Sequence, residues 1–231
     1  MHIRELWRYP VKSMLGESCE TLAFDTRGAK NDRIFAVRTA EGKFGSGKNT
    51  RRFRRIDGLF RFSASYQDDA PVITFPDGAT RRGGDRNLDA ALSDACAQPV
   101  TLTREAEVPH FDAGAVHLVT TSALAWLQNQ LPDCTVEPSR FRPNLVVDDD
   151  GAALDDKDWI GGIIRIGDVE LEVAEATERC GMVAFPQGSY AFEPKILRTI
   201  TQNANLNFGL YANVRATGVL SVNDPLRLEK P

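Results

Sequence analysis

Apolar and polar residues alternate along much of this chain, with the two-residue period of a half-buried β-strand. The clearest case is the run Gly167 to Thr177, where Val169, Leu171 and Val173 alternate with Asp168, Glu170 and Glu172. Similar runs predict strands at 2–8, 19–24, 33–38, 59–66, 71–75, 99–103, 115–119, 144–148, 163–167, 169–175 and 219–222. Turn chemistry separates many of them, as at Asp57-Gly58, Pro76-Asp77-Gly78, Gly161-Gly162 and Asn223-Asp224-Pro225. Three segments switch to helical spacing. Arg86 to Ala97 places Leu88, Ala91, Leu92 and Ala95 on one face. Thr121 to Leu131 does so with Leu124, Leu127 and Leu131, with Thr121 or Ser122 as the cap and Pro132 beyond the end. Glu193 to Asn203 has Pro194 in its first turn and Ile196, Leu197 and Ile200 apolar. The pattern predicts a mostly β, α+β chain whose strand spacing fits a barrel. It lapses near residues 104–112, which divides the chain into a β-rich lobe at 1–104 and a second domain at 105–231.

A length of 231 residues allows one large domain or two small ones with a real core. The net charge of −4 argues against a general nucleic-acid or membrane-surface binder. No apolar run reaches the roughly 18 residues of a transmembrane span, and the first ten residues read as a strand, not a leader. The expected compartment is therefore the cytoplasm. Cys19, Cys96, Cys134 and Cys180 form no C-x-x-C pair, which suggests reduced thiols and excludes a zinc ribbon or a plant-type iron–sulfur cluster within the chain. His2, His110 and His117 lack metal-ligand spacing. The acidic stretch 148–158, with Asp148, Asp149, Asp150, Asp155, Asp156 and Asp158, lacks the ligand pattern of a calcium loop and reads as solvated.

Gly42-Lys-Phe-Gly-Ser-Gly-Lys48 nearly matches a nucleotide-binding loop, but Asn49 stands where the magnesium-holding hydroxyl belongs. Residues 43–55 hold six of the 28 Lys and Arg, so the segment reads as a basic loop, either near an anion or merely solvated. Cys180 follows Arg179 at the end of the strongest strand. A lone cysteine is commonly a small buried hydrophobe. A cation beside it favours the thiolate, the natural ligand for a soft or redox-active metal. Cys96, on the apolar side of a helix, reads as core. Arg142 and Asn144 flank Pro143 at the entry to an apolar strand, offering a guanidinium fork and an amide to an anion, or an ion pair to nearby aspartates. Lys12-Ser13 and Asp32-Arg33 are polar pairs at other strand edges.

Together, Tyr9-Pro-Val-Lys-Ser13, Asp32-Arg33, Phe141-Arg-Pro-Asn144, Ile166-Gly-Asp-Val-Glu-Leu171 and Arg179-Cys180 stand in an order that resembles MOSC proteins, the molybdenum cofactor sulfurase C-terminal domain family. The resemblance covers nearly the whole chain, including that family's N-terminal β-barrel-like extension, and implies a β-barrel-like MOSC core at 105–231. It implies a molybdopterin-type molybdenum cofactor, with Cys180 as the metal ligand and catalytic residue. Lys12 with Ser13, Arg33, Arg142 and Asn144 match cofactor-contacting positions, as do Ser122 and Arg179. Asn207-Phe-Gly-Leu-Tyr-Ala-Asn213 resembles another segment near the site. The family includes reductases of N-hydroxylated compounds, which implies a small N-oxygenated substrate and a separate electron-transfer protein. Neither pyridoxal phosphate nor an iron–sulfur cluster is expected. Where those reductases follow their cysteine with a Thr-Thr-Val-Asp-Pro-like stretch, this chain has Gly181-Met-Val-Ala-Phe-Pro186. The alternative is a carrier that holds sulfur as a Cys180 persulfide, or passes the cofactor on, without turnover.

Overall fold

The alternating segments pair into four sheets in a computed structural model that describes residues 1–151 and 156–230. In chain order the strands are β1 (His2–Arg8), β2 (Glu17–Cys19), β3 (Thr21–Asp25), β4 (Gly28–Ala29), β5 (Phe35–Thr39), β6 (Phe44–Ser46), β7 (Phe53–Arg55), β8 (Ser63–Gln67), β9 (Ala70–Thr74), β10 (Thr80–Arg82), β11 (Val100–Arg104), β12 (Val116–Thr120), β13 (Leu145–Asp148), β14 (Ile163–Ile166), β15 (Val169–Glu178), β16 (Asn207–Ala216), β17 (Gly218–Ser221) and β18 (Arg227–Glu229). The helices are α1 (Leu88–Ala95), α2 (Thr121–Gln130) and α3 (Pro194–Asn203). The largest sheet runs β18-β14-β15-β16-β12-β13-β1-β2. Smaller sheets run β11-β5-β6-β7, β10-β9-β8 and β17-β3-β4. The described residues are thus mostly β with three α-helices. No closed ring of paired strands is found among the described residues, so these ladders bear out the mostly β, α+β expectation without its barrel-like part.

Strands from both sides of residue 104 share hydrogen bonds. β1 pairs with β13, and β3 pairs with β17. The central strands β12 and β13 of the large sheet are buried on both faces, and the period of two sorts their side chains. Leu118, Leu145, Val147 and Leu210 enter one core with Ile3, Leu6 and Trp159. Val119 and Val146 point the other way, into a core closed by Leu127 of α2 and Ile196 and Ile200 of α3. The β11-β5-β6-β7 and β10-β9-β8 sheets and Leu88 and Leu92 of α1 enclose a third core around Val37, Leu59, Phe62 and Ile73, while Leu22, Phe24, Ala29 and Leu220 of the β17-β3-β4 sheet join the first. No helix among the described residues is long and apolar enough to cross a membrane.

Several elements depart from the sequence expectation for identifiable reasons. The ten-residue strand β16 lies mid-sheet but lacks clean alternation. Phe208 joins the helix-side core while Leu210 and Ala212 join the inner one, and Gly209 between them has φ +81°. A residue in the left-handed region breaks the regular pleat. Residues 59–61 wind into a 3₁₀ turn after Gly58, and the strand starts at Ser63. β4, β6, β7, β10 and β18 have two or three residues each, too few to show a period. The cap of α2 is Thr120, one residue earlier than expected, whose Oγ1 accepts the Ala123 N–H at 3.1 Å. Asp149 is not a solvated loop residue. It is buried, and its Oδ1 accepts from the Thr121 hydroxyl at 2.8 Å and the Ser122 N–H at 3.0 Å, anchoring the first turn of α2. Asp155 lies outside the described residues. The glycine-rich segment 42–50 passes through β6 and bends into β7. No helix begins after Lys48, so the phosphate-cradling geometry of a nucleotide loop is not formed.

Two glycines separate strain from collision. A Cβ on Gly209 would lie 2.6 Å from the Leu118 carbonyl oxygen and 2.8 Å from His117 Nε2. A Cβ on Gly167, also at positive φ, would meet nothing within 4 Å. Gly209→Ala should therefore destabilise by clearly more than the roughly 1 kcal/mol of positive-φ strain that Gly167→Ala carries. Urea midpoints of the two variants measure the difference.

Candidate functional site

The segments that end or enter strands β1, β5, β13 and β15 converge on one cavity of about 560 Å³. Of the residues singled out from sequence, Lys12, Ser13, Arg33, Arg142, Arg179 and Cys180 all line it. Ser122 and Asn144 do not. Ser122 sits in the first turn of α2, its N–H held by Asp149. Asn144 is fully buried beneath the wall. Its Oδ1 accepts the His117 N–H at 3.1 Å and its Nδ2 donates to the Trp7 carbonyl at 3.3 Å, joining β12 to β1.

The backbone at this cavity is unusual. Ser13 (φ 63°), Arg33 (φ 52°) and Arg142 (φ 59°) all adopt the left-handed conformation. For residues with a Cβ this costs of order 1–3 kcal/mol each and persists only where the surroundings enforce it. The enforcing bonds are present. Ser13 Oγ donates to the Gly45 carbonyl at 3.1 Å, and the Arg33 and Arg142 N–H groups donate to the Tyr9 and Ser139 carbonyls at 2.7 and 3.1 Å. Each turn aims its side chain into the cavity wall.

The cations differ in how they are compensated. Arg33 is paired with the fully buried Asp32, which also accepts the Tyr9 N–H at 2.8 Å. Burial opposes the charge of Arg33, but Asp32 beside it outweighs burial and carries its pKa up. Lys12 donates to Asp112 Oδ1 at 2.7 Å and the His110 carbonyl at 2.8 Å. Burial still wins and pulls its ammonium down to about 8. Among the described residues, Arg142 and Arg179 have no carboxylate partner. Burial lowers each to about 10, with Arg33 adding repulsion at Arg142. One Arg142 amine hydrogen-bonds the Met14 carbonyl, while the other, Nη2, is buried without a hydrogen-bond partner. The Arg33 and Arg142 guanidiniums lie 4.8 and 4.4 Å from the centroid of the same buried Tyr9 ring.

His117, which ligand spacing gave no reason to place here, is the node of this array. It lies on β12, fully inside the sheet. Its Nε2 faces Arg179 Nη2 at 2.6 Å and its Nδ1 faces the Arg142 carbonyl at 3.3 Å. A guanidinium only donates and a carbonyl only accepts, so the ring is neutral with its proton on Nδ1. Burial and then the Arg179 charge push its pKa well below the usual value, in agreement. Arg179 is completed by bonds from Nε to the Phe208 carbonyl at 2.7 Å and from Nη1 to the Phe141 carbonyl at 3.2 Å. All three of its nitrogens are therefore engaged away from the thiol of Cys180.

Cys180 is half-buried at the start of a 3₁₀ turn, Gly181–Ala184. Arg140 grips that turn from below, donating to the Val183 and Phe185 carbonyls at 3.2 and 3.3 Å, and Gln187 Nε2 donates to the Met182 carbonyl at 3.0 Å. The turn is fixed, and with it the thiol. Cys96 and Cys134 are buried away from the cavity, and burial pushes the Cys96 thiol up to about 11. Sequence reasoning missed Asp112, Tyr211 and Arg140 as well as His117. Only Tyr211 had a signal, the family-like segment 207–213.

The family model described as the MOSC domain matches residues 97–227, and that of the MOSC N-terminal beta barrel domain matches residues 1–108. Among curated proteins the chain is similar to a mitochondrial amidoxime-reducing component 1 from Danio rerio, 33% identical over 53% of this chain and 39% of that protein. It is also similar to a mitochondrial amidoxime reducing component 2 from Bos taurus, 23% identical over 97% of this chain and 82% of that protein. The match thus spans well under half the length of the first of these relatives. Among solved structures, the YuaD protein from Bacillus subtilis shares the fold with a TM-score of 0.56 at 13% identity, covering 100% of this chain and 96% of that one.

Removing the acceptor at His117 leaves an Arg179 donor unpaired, at a cost of about 1–3 kcal/mol. His117→Phe should lower both the melting temperature and the affinity of the protein, freed of any cofactor, for pyrophosphate. His117→Gln, which can present an amide oxygen, should recover part of each; calorimetric titration and a melting curve read the two effects. Lys12 sets a pH dependence. Its folded pKa of about 8 lies below the ordinary lysine value of 10.5. Between those values the unfolded chain binds more protons, so this group's contribution to stability rises with pH, while its hold on an anion falls. Pyrophosphate affinity should drop roughly tenfold from about pH 7 to about pH 9. In Lys12→Met that drop should flatten.

Proposed function

We propose, from the premise that the chain belongs to the MOSC domain family, that its cavity holds a molybdopterin-type molybdenum cofactor and reduces N-hydroxylated or related N-oxygenated small molecules. One observation carries the reading. Arg142 and Arg179, both buried and without a carboxylate partner among the described residues, line the same cavity as Cys180. Buried charges are stable only when paired. A ligand carrying a phosphate and a soft metal satisfies both halves of that wall, the guanidiniums by charge and the thiolate as ligand. The unpartnered Arg142 Nη2 is a donor ready for such an anion. The names of the amidoxime-reducing relatives support the substrate class.

Bound there, the metal would supply a two-electron centre able to accept oxygen from the substrate. The net reaction consumes two electrons and two protons, breaks the N–O bond and releases water. The chain's own residues do the rest. Lys12, Ser13, Arg33 and Arg142 bind the anionic end, and His117 keeps Arg179 directed along the wall. Arg140 and Gln187 hold the Cys180 turn. Tyr211, whose hydroxyl burial pushes up, remains a hydrogen-bond donor at neutral pH. Gly181 and Met182 stand where the family stretch carries its two hydroxyls, so the contacts beside the thiol, from Met182 and Val183, are apolar, which favours an apolar substrate body. The electrons come from a separate donor protein.

The half-exposed position of Cys180 also suits a sulfur carrier. Elemental analysis of protein from a cofactor-competent host separates the two. Near-stoichiometric molybdenum, lost in Cys180→Ala and kept in Cys96→Ala, is expected. Sulfur on Cys180 without metal would favour the carrier.

A further inference from the structure

The basic segment 42–55 takes no part in the reaction as described, yet it borders the cavity. Lys48 lines the wall, and its Nζ lies 5.0 Å from the Phe53 centroid, with Lys12 at 5.1 Å from the same ring. Gly47 packs so closely on Phe185 that a Cβ there would come within 2.6 Å of that ring. Arg55 lies 5.6 Å from the Phe185 centroid. Phe185 in turn walls a second, shallower groove of about 440 Å³, where Phe192 stacks on it at 6.4 Å. Phe192 is 56% exposed. Gly181, the residue after Cys180, forms part of the groove wall, together with Leu197 and Arg198 of α3. The groove and the thiol are therefore one residue apart along a fixed turn.

We infer that this groove and the cations around it are the docking face for an acidic electron-donor protein that carries its redox group near its surface. The inference rests on the reductase reading, which requires two electrons per N–O bond broken and a donor to deliver them. Charge complementarity selects the partner. Residues 42–55 contain six Lys and Arg and no Asp or Glu, in a chain of net charge −4. Arg51, Arg54 and Arg55 are exposed there, Arg55 in an exposed ion pair with Asp57 at 2.7 Å that a more acidic partner would compete for, and Arg198 adds a cation on the groove itself. A concave apolar slot with one protruding phenylalanine and a cationic rim has the form of a protein hot spot ringed by charge. A lipid surface would instead call for a broad apolar face along a helix.

The test uses the cofactor-loaded protein with two acidic probes, a reduced [2Fe–2S] ferredoxin and a reduced flavodoxin. Cytochrome c serves as a basic control, and vesicles of anionic phospholipid stand for a membrane. The variants are Arg55→Glu/Arg198→Glu and Phe192→Ser, none of which lines the cavity. Interferometry should show at least one acidic donor bound, more weakly at about 0.3 M than at about 0.05 M salt. Affinity should fall at least tenfold in both variants, with a matching rise in KM for the donor, while turnover driven by dithionite stays unchanged. Equal donor affinity in wild type and variants, no binding of either acidic donor, or preferential binding of cytochrome c or vesicles would each overturn the docking face. Charge-dependent donor binding by a protein without molybdenum or dithionite turnover would leave the face standing and reject the reductase reading.

Discussion

The candidate site depends on one carbonyl group. Arg142 turns left-handed, and that turn presents its carbonyl oxygen to two donors at once, Arg33 Nη2 at 3.2 Å and His117 Nδ1 at 3.3 Å. His117 in turn holds Arg179. Three cations from three distant parts of the chain are thereby set in fixed relation, and their mutual repulsion is borne by the backbone dipoles that grip them. A more relaxed residue at 142 would aim the carbonyl elsewhere and release both neighbours. The strain at this position is the local cost of assembling like charges in a buried wall.

Such an assembly needs a rigid frame, and the interleaving of the chain provides it. β1 is hydrogen-bonded between β13 and β2, so the turn Tyr9–Ser13 leaves the large sheet at a defined height. Asn144 ties β12 to β1 from beneath. The cavity therefore lies where segments from all three thirds of the chain meet. Ser13, bonded to Gly45 in β6, adds the small four-stranded sheet to the same frame.

What the sequence made legible follows from range. β1 and β12 were readable as short runs rich in β-forming residues, and the first half of β15 because its alternation is intact and each residue's face follows from its neighbours. The three helices were readable for the same reason. β16 was not, since Gly209 breaks the pleat near its start and its inner-facing residues are partly small. Six of the residues singled out for the site do meet at one cavity, because short polar motifs at strand ends mark where chains turn. His117 was invisible. It sits within an apolar strand, and its role depends on the lone-pair geometry of two groups, 25 and 62 residues away. Arg179 shows the converse limit. Its adjacency to Cys180 suggested a cation–thiolate pair, whereas its hydrogen bonds all run to carbonyls and to the His117 ring.

The turn after Cys180 shows why a change of sequence there has consequences on two surfaces. A 3₁₀ turn repeats every three residues, so neighbouring side chains leave in different directions. Met182 and Val183 face the cavity, while Gly181, Ala184 and Phe185 face the outer groove. Hydroxyl or acidic residues along this stretch would serve the cavity on one side and make the groove polar on the other. An apolar stretch does the reverse, removing donors beside the thiol and at the same time completing a greasy slot outside. Arg140 and Gln187, bound to carbonyls of this segment, leave it little freedom to serve one surface independently of the other. The chemistry of the cavity and the identity of whatever docks beside it are thus coupled through five consecutive residues.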